Sequence, residues 1–366
     1  MTAPSHPPVF DGHNDVLLRL HLNGGVDPVQ AFLDGRDGEG HLDWPRASAA
    51  GFAGGLFAIF VPSQAQAAAA IAAARSGTKD EATQNLGPGG DAPEQVGLVE
   101  AQAATLAMAA TLARIARAAP ERVQLCRSVA DIRAAMAQGA LASVLHIEGA
   151  EAIDADLDML AVLHQAGLRS LGPVWSRPNI FGFGVPFRFP SPPDIGPGLT
   201  EAGRRLVAAC NDLRILIDLS HLNEAGFWDV ARSSTAPLVA THSNAHAICA
   251  ASRNLTDKQL AAIRDSGGLV GVNYAVSFLR PDGARNPATP LDTIVDHLAY
   301  MVERLGEDGV ALGSDFDGAL ICREMGSVAG LPALVAAMRA RGFGEELIAK
   351  ICHRNWLGVL ERTWSA

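Results

Sequence analysis

Several features that would place a chain in a large functional class are missing from these 366 residues. No run of basic residues occurs, and 29 Lys and Arg stand against 39 Asp and Glu, a net charge of −10. Without a cationic stripe, affinity for a phosphate backbone has no electrostatic source, so no nucleic-acid partner is expected. The surplus acid mainly favours solubility. Cysteine is scarce: Cys126, Cys210, Cys249, Cys322 and Cys352 are odd in number, scattered and free of CxxC spacing, which favours reduced thiols over a disulfide framework. The start, MTAPSHPPVFDGHND, has neither a basic n-region nor an apolar h-region. The longest weakly polar run reads as Ala47 to Val61, too short and too rich in Gly and Ala to span a bilayer. A cytoplasmic protein without a membrane partner is expected. The phosphate-binding fingerprint GxGxxG after a first strand is also absent, and Gly182-Phe-Gly184 sits instead in a Pro-rich loop.

What is present is a large core. Apolar residues make up 48% of the chain and charged residues 19%, enough to exclude a disordered tail or a cross-linked peptide. From about residue 128 one pattern recurs: a helix-like stretch, a Gly-containing stop, then a short run rich in Val, Ile and Leu. Residues 128–138 stop at Gly139 before the run from Leu141 to Ile147, and residues 156–166 stop at Gly167 before the run from Leu168 to Trp175. Thr200 reads as an N-cap leading to the run 214–219, and Thr256 with Gln259 as a capping box before the run 269–274. The stretch 292–305 stops at Gly306 before the run 310–313. With runs at 9–11, 55–61 and 237–241, eight strand candidates alternate with helices. That alternation predicts a parallel sheet covered on both faces, and eight units predict one (β/α)₈ TIM barrel over residues 1–366; an open doubly wound sheet is the alternative. Two segments break the rhythm, giving insertions at about 62–127 and 172–198. Within the first, 76–98 is polar and Gly/Pro-rich and reads as an exposed excursion. The second carries five aromatics and reads either as a pocket wall or lid, or as a loop packed on the protein's own surface.

His and acidic residues fall at the ends of these runs. His13 and Asp15 follow the first and, two residues apart on extended chain, share a side. Glu148 follows the third, where a buried acid needs a partner or a metal. His221, His242 and Asp315 end the fifth, sixth and eighth. Singly, each suits a hydrogen-bonded structural role. Together they lie on the face where barrel active sites are built. Three imidazoles and three carboxylates there can hold two divalent cations, with one carboxylate bridging and another left for acid/base work. Nitrogen and oxygen donors without thiolate suit Zn²⁺ best, with Mn²⁺ or Co²⁺ as alternatives, and a metal pair points to hydrolysis.

The ordered motifs DGHNDVLLRL, HIEGAEAI, GLTEAGRRLVAACNDLRILIDLSH, THSNAHAICAASRNLTD, GGLVGVNY and GSDFDG resemble those of the membrane (renal-type) dipeptidases of the amidohydrolase superfamily over nearly the whole chain. That resemblance implies a metallopeptidase with two Zn²⁺ per chain: His13 and Asp15 on one, His221 and His242 on the other, Glu148 bridging. It implies attack by a metal-bridging hydroxide, Asp315 as the proton-transfer residue and Arg253 as the group that holds the substrate's terminal carboxylate. From its position in the loop before Thr256, Arg253 is expected to overhang the barrel mouth and meet a carboxylate bidentately. One departure stands out, since Trp175 occupies the position of a family histidine that contacts substrate. An indole N–H donates a hydrogen bond but carries no proton charge. Trp175 is therefore read as substrate-binding. His146, on the same strand face as Glu148, is read as a partial substitute for that histidine or as a supporting core residue.

The expected activity is hydrolysis of dipeptides, with a D-residue at the C-terminal position and a homodimer both left open. Removal of an N-acyl group, opening of a cyclic amide, or a non-catalytic binding barrel are the rivals.

Overall fold

The computed structural model describes residues 6–23, 26–36, 38–69 and 94–365. Nine parallel strands organise it: β1 (Val9–Asn14), β2 (Phe52–Phe60), β3 (Val123–Leu125), β4 (Leu141–Glu148), β5 (Leu168–Gly172), β6 (Leu216–Ile217), β7 (Val239–Ala240), β8 (Leu269–Val272) and β9 (Val310–Leu312). The eight expected runs all contain strands. β3 is an addition at the edge, paired to β4, in a stretch too short to read from its pattern.

The pairing differs from the uninterrupted ring that a closed barrel predicts. One sheet runs β1-β2-β4-β5-β6 and a second runs β7-β8-β9, so the strands form an α/β half-barrel with a separate three-stranded piece facing it. Single parallel bridges join the two, Asp218 to Val239 and Asn14 to Phe316. Side chains reinforce both seams. Asp218 accepts from the Thr241 amide at 2.8 Å and the Thr241 hydroxyl at 2.6 Å, and Asp11 accepts from the Ser314 amide and hydroxyl, each at 2.7 Å. The strands at these seams are two or three residues long, so polar side chains do work that backbone ladders do elsewhere.

Alternation along each strand explains the layering. On β4, Ala142 and Val144 join an inner cluster, and Leu141, Leu145 and Ile147 face the outer helices. The inner cluster takes Phe10, Leu56, Leu216, Val239, Leu269 and Ala311 from six further strands and is capped by Trp356. Trp356 belongs to the C-terminal helix Asn355–Trp364, and its indole N–H donates to the Leu312 carbonyl at 2.9 Å. Gly12 is obligatory at this plug, because a Cβ there would stand 2.4 Å from the Trp356 ring and 2.3 Å from the Thr241 carbonyl oxygen.

The sequence-predicted caps form as expected. Thr200 accepts from Gly203 N, and Thr256 with Gln259 makes both bonds of a capping box. One expectation is corrected. Among the described residues, Leu98–Ala118 is a helix long and apolar enough by length and composition alone to cross a membrane; its three charged residues are spread widely enough to hide it in a search for uninterrupted runs. It buries Ala101, Thr105, Met108, Leu112 and Ile115, the three-and-four spacing of a helix with one face on the core. Most of the polar excursion, through residue 93, lies outside the described residues.

The Pro-rich segment 172–198 forms a wall around a buried ion pair. Arg177 donates through Nε to Glu151 at 2.7 Å and through Nη2 to the Val61 carbonyl at 2.6 Å, with both side chains out of solvent. Its guanidinium also lies 5.3 Å from the Phe60 ring centre and 5.5 Å from that of Trp175. Removing one partner of a buried pair leaves the other charge uncompensated. Arg177→Met is therefore expected to lose about 3–5 kcal/mol, read as a fall in the urea midpoint at constant slope; an unchanged midpoint would show the pair to be energetically silent.

Candidate active site

The five expected ligands meet at the C-terminal ends of the strands. On β1, Phe10 and Gly12 face inward, and the register shift against β2 between Asp11 and Asn14 turns His13 and Asp15 toward the same interior. His13 Nε2 lies 3.2 Å from Asp15 Oδ2. Ser176 bonds His221 Nδ1 at 2.7 Å and Thr241 bonds His242 Nδ1 at 2.8 Å. These contacts leave both Nε2 atoms facing the site, 3.1 Å apart. Glu148 stands between the pairs: Oε1 is 2.9 Å from His221 Nε2 and 3.2 Å from His242 Nε2, and Oε2 is 3.8 Å from His13 Nε2.

These spacings suit shared cations. Metal–ligand bonds of 2.0–2.1 Å in a tetrahedron put neighbouring donors about 3.3 Å apart, close to the separations in both groups. The triads His13/Asp15/Glu148 and Glu148/His221/His242 each hold their donor atoms within 4.8 Å of one another. Asp15 Oδ1 is buried and has no hydrogen-bond partner among the described residues, as expected of a lone pair facing a cation. Without metal the cluster is electrostatically uneasy. Burial pushes Glu148 well above the usual carboxylate range, and burial, with Arg253 and His13 nearby, holds His221 and His242 well below the usual imidazole range. At His13 burial opposes the charge, but the Glu148 and Asp15 carboxylates override it and raise the imidazole to about 10.

Two acids in the DFDG turn look alike in sequence and are separated by structure. Asp315 accepts from Asn273 Nδ2 at 2.8 Å, and burial together with Asp15 raises its carboxyl to about 6. Asp317 instead accepts from the His41 amide at 2.6 Å and lies 3.3 Å from Arg19 Nε, which anchors the turn. Both adopt left-handed backbone, φ 60° and 67°, as does His221 at 67°, a cost of about 1–3 kcal/mol each that the surrounding contacts must sustain. Gly318 completes the turn, since a Cβ there would lie 2.0 Å from Asp15 Oδ2 and 2.4 Å from Asp315 Oδ1.

Arg253 departs from expectation. It does not overhang the mouth but is buried, donating through Nη1 to the Ser243 hydroxyl at 2.7 Å and through Nη2 to the His242 carbonyl at 2.9 Å. Its Nε is buried without a partner among the described residues. The side chain is thus pre-positioned from the strand end itself.

Above these groups opens a cavity of about 760 Å³, lined by Asp15, Glu148, His221 and Asp315 together with Phe60, Trp175, Phe187 and Phe278. The Pro-rich loop therefore builds a pocket wall, one of the two alternatives open to it. Trp175 packs between Phe60 at 4.8 Å and Phe187 at 5.6 Å, with its ring 5.8 Å from His221. Gly184 permits this: a Cβ there would lie 1.6 Å from the Trp175 carbonyl oxygen. His146 stays beneath the cavity, bonded through Nδ1 to Ser170 at 2.9 Å and lying edge-on 5.4 Å from His13. Sequence reasoning missed Asp218, which forms a third close group with His13 and His242, and Asn273. Asp218 directly follows β6, three residues before His221, and Asn273 directly follows β8, so both obey the same strand-end logic.

Comparison with known proteins agrees with this geometry. The family model described as membrane dipeptidase (peptidase family M19) matches residues 4–365. A solved structure of a metallo peptidase from Rhodobacter sphaeroides, liganded with a phosphinate mimic of the dipeptide L-Ala-D-Ala, is 54% identical, covers 98% of this chain and 100% of its own, and superposes with a TM-score of 0.91. A dipeptidase AC, a metallo peptidase of family M19, is also 54% identical, with 99% and 100% covered and a TM-score of 0.90. A Klebsiella pneumoniae protein from the pqqA 5′ region is 53% identical over 66% of this chain and 90% of its own.

The crowding at Gly318 is directly testable. Gly318→Ala should force Asp15 and Asp315 apart and lower both metal content and turnover at least about tenfold. Gly344→Ala, where no heavy atom lies within 4 Å of the added methyl, is the control. Equal metal content in the two variants would show that the turn has slack.

Proposed function

This chain belongs to the membrane dipeptidase family, peptidase family M19, and on that premise we propose that it is a zinc-dependent dipeptidase requiring a free C-terminal carboxylate. The observation that carries this reading is the position of Glu148, one oxygen against His221 and His242 and the other toward His13, beneath a cavity that also holds Asp315. His13, Asp15, Glu148, His221 and His242 would hold two cations, Glu148 shared between them. Imidazole and carboxylate donors without thiolate favour Zn²⁺.

Bound there, a divalent pair supplies polarisation of the scissile carbonyl and acidification of a water. The chain's own groups do the rest. The Asp315 carboxylate, oriented by Asn273, takes up the proton released as water attacks and returns it to the departing amine nitrogen. Arg253 has donors left after binding Ser243 and the His242 carbonyl, and these meet the substrate's terminal carboxylate. Phe60, Trp175 and Phe187 pack on substrate side chains and exclude water. Unlike a histidine at that position, Trp175 offers at most a neutral N–H donor and cannot take up a proton. The phosphinate mimic bound by the Rhodobacter sphaeroides protein supports acceptance of a D-residue at the C-terminal position.

We read the scaffold as one catalytic unit on a closed (β/α)₈ barrel. The seam bridges support this, as does the inner cluster drawn from seven strands around Trp356. The meeting of His13 and Asp315, which come from near opposite ends of the chain, supports it as well.

Activity on a dipeptide panel with both stereoisomers at each position, beside N-acyl amino acids and lactams, tests the reading. Cleavage of dipeptides and close to two zinc ions per chain are expected. Turnover confined to N-acyl or cyclic amides, or less than one metal per chain after purification without chelators, would sink it. Asp315→Asn should keep its metal and lose about 10²–10⁴-fold in kcat; unchanged kcat would remove Asp315 from the reaction.

A further inference from the structure

Behind His242 runs a chain of hydrogen bonds that the proposed reaction does not use directly. Asp218 directly follows β6 and Thr241 directly follows β7, and both are buried together with His242. Asp218 Oδ1 accepts from the Ser220 amide at 2.9 Å and from the Thr241 amide at 2.8 Å. Its other oxygen, Oδ2, accepts from the Thr241 hydroxyl at 2.6 Å. That hydroxyl lies 2.8 Å from His242 Nδ1. His146 Nε2 is 3.6 Å from Asp218 Oδ2, too far for a hydrogen bond.

A neutral imidazole has one N–H and two nitrogens that can carry it. On Nε2 the proton of His242 would face Glu148 Oε1 at 3.2 Å, and that nitrogen would have no lone pair for a cation. On Nδ1 it faces Thr241, and Nε2 is left free to bind. A hydroxyl by itself does not decide between the two, because it can donate or accept. Asp218 makes the decision: the single proton of the Thr241 hydroxyl goes to the carboxylate, so only a lone pair remains for His242 Nδ1, and Nδ1 must carry the imidazole hydrogen. The same bonds account for the close approach of Asp218 to His13 and His242 without a third cation, since one oxygen is taken by two amides and the other by Thr241.

Resting on the metal ligands of the proposed function, we infer that Asp218 is a positioning residue for the metal site, holding His242 through Thr241 in the one tautomer whose Nε2 binds a cation.

The two amides at Oδ1 make Asp218→Asn informative. They hold the side-chain oxygen in place, which puts the NH₂ where Oδ2 stands, facing Thr241. The bonds then run backwards: the amide donates to Thr241, Thr241 donates to His242 Nδ1, and the imidazole hydrogen is driven onto Nε2. Side-chain shape and both backbone bonds are kept.

The experiment measures zinc affinity by titrating the zinc-loaded full chain with a chromophoric chelator, and reads the His242 tautomer from long-range nitrogen-15 spectra of the stripped protein. In Asp218→Asn the more weakly held zinc should bind about 10–100-fold less tightly, with the hydrogen moved from Nδ1 to Nε2. Adding Thr241→Val removes the hydroxyl that transmits the reversed bond, so this double variant should recover part of the affinity. Adding Thr241→Ser, which keeps a hydroxyl, should recover none. A purely structural role for Asp218 at the seam predicts the opposite order, because the Val double variant loses one more bond than the single. Native zinc affinity in Asp218→Asn, a Val double variant no better than the single, or a native chain with the hydrogen on Nε2 would each overturn this inference and leave the dipeptidase reading standing. A native chain that holds less than one zinc would overturn both.

Discussion

A single buried carboxylate, Glu148, governs this molecule. It ends β4 in the middle of the larger sheet, where desolvation makes a free charge costly. Imidazole groups from three other strand ends converge on its two oxygens. Left alone, this assembly mixes like and unlike charges among buried groups, and those groups are displaced far from their ordinary protonation equilibria. A bound metal would resolve that conflict, and the surroundings are organised to present lone pairs to it. Ser176 and Thr241 occupy the far nitrogens of the histidines, and the Asp315–Gly318 turn approaches Asp15 with no side chain in the way.

The rest of the architecture keeps that convergence intact. His13 and Asp315 come from opposite ends of the chain and meet where the backbone of one bonds the backbone of the other, Asp315 N to the His13 carbonyl at 3.0 Å. The seams between the two sheets lie beside the ligand-bearing residues, and polar side chains hold them where ladders are short. Asp218 ties the β6 end to Thr241, and Asp11 ties β1 to Ser314. The Trp356 plug below and the aromatic wall above close the two ends of the same column of inward-facing residues.

Much of this was legible from residue order. Alternating helix stops and apolar runs located all eight main strands, because a parallel strand buried on both faces must be apolar throughout and the helix before it must end with a chain reversal. The candidate ligands were legible because each lies within a few residues of the end of such a run. What escaped was of two kinds. β3 and the helix Leu98–Ala118 lie in the irregular stretch between β2 and β4, where no periodic rhythm marks a boundary. Asp218, Ser176 and Asn273 act through partners 20 or more residues away, and no local pattern encodes a distant contact.

The sequence by itself determined the class of chemistry: nitrogen and oxygen donors at successive strand ends, a DFDG turn, an arginine eleven residues past His242. These are matters of residue type and spacing along an extended chain, which period-two geometry carries without reference to the remainder of the fold. Only the tertiary structure decided that Arg253 is buried beside the site rather than hanging over it, that Asp317 anchors the turn in which Asp315 faces the cavity, and that Trp175 builds an aromatic wall. Those outcomes depend on which surfaces pack together, and packing is set by the whole set of side chains meeting in three dimensions.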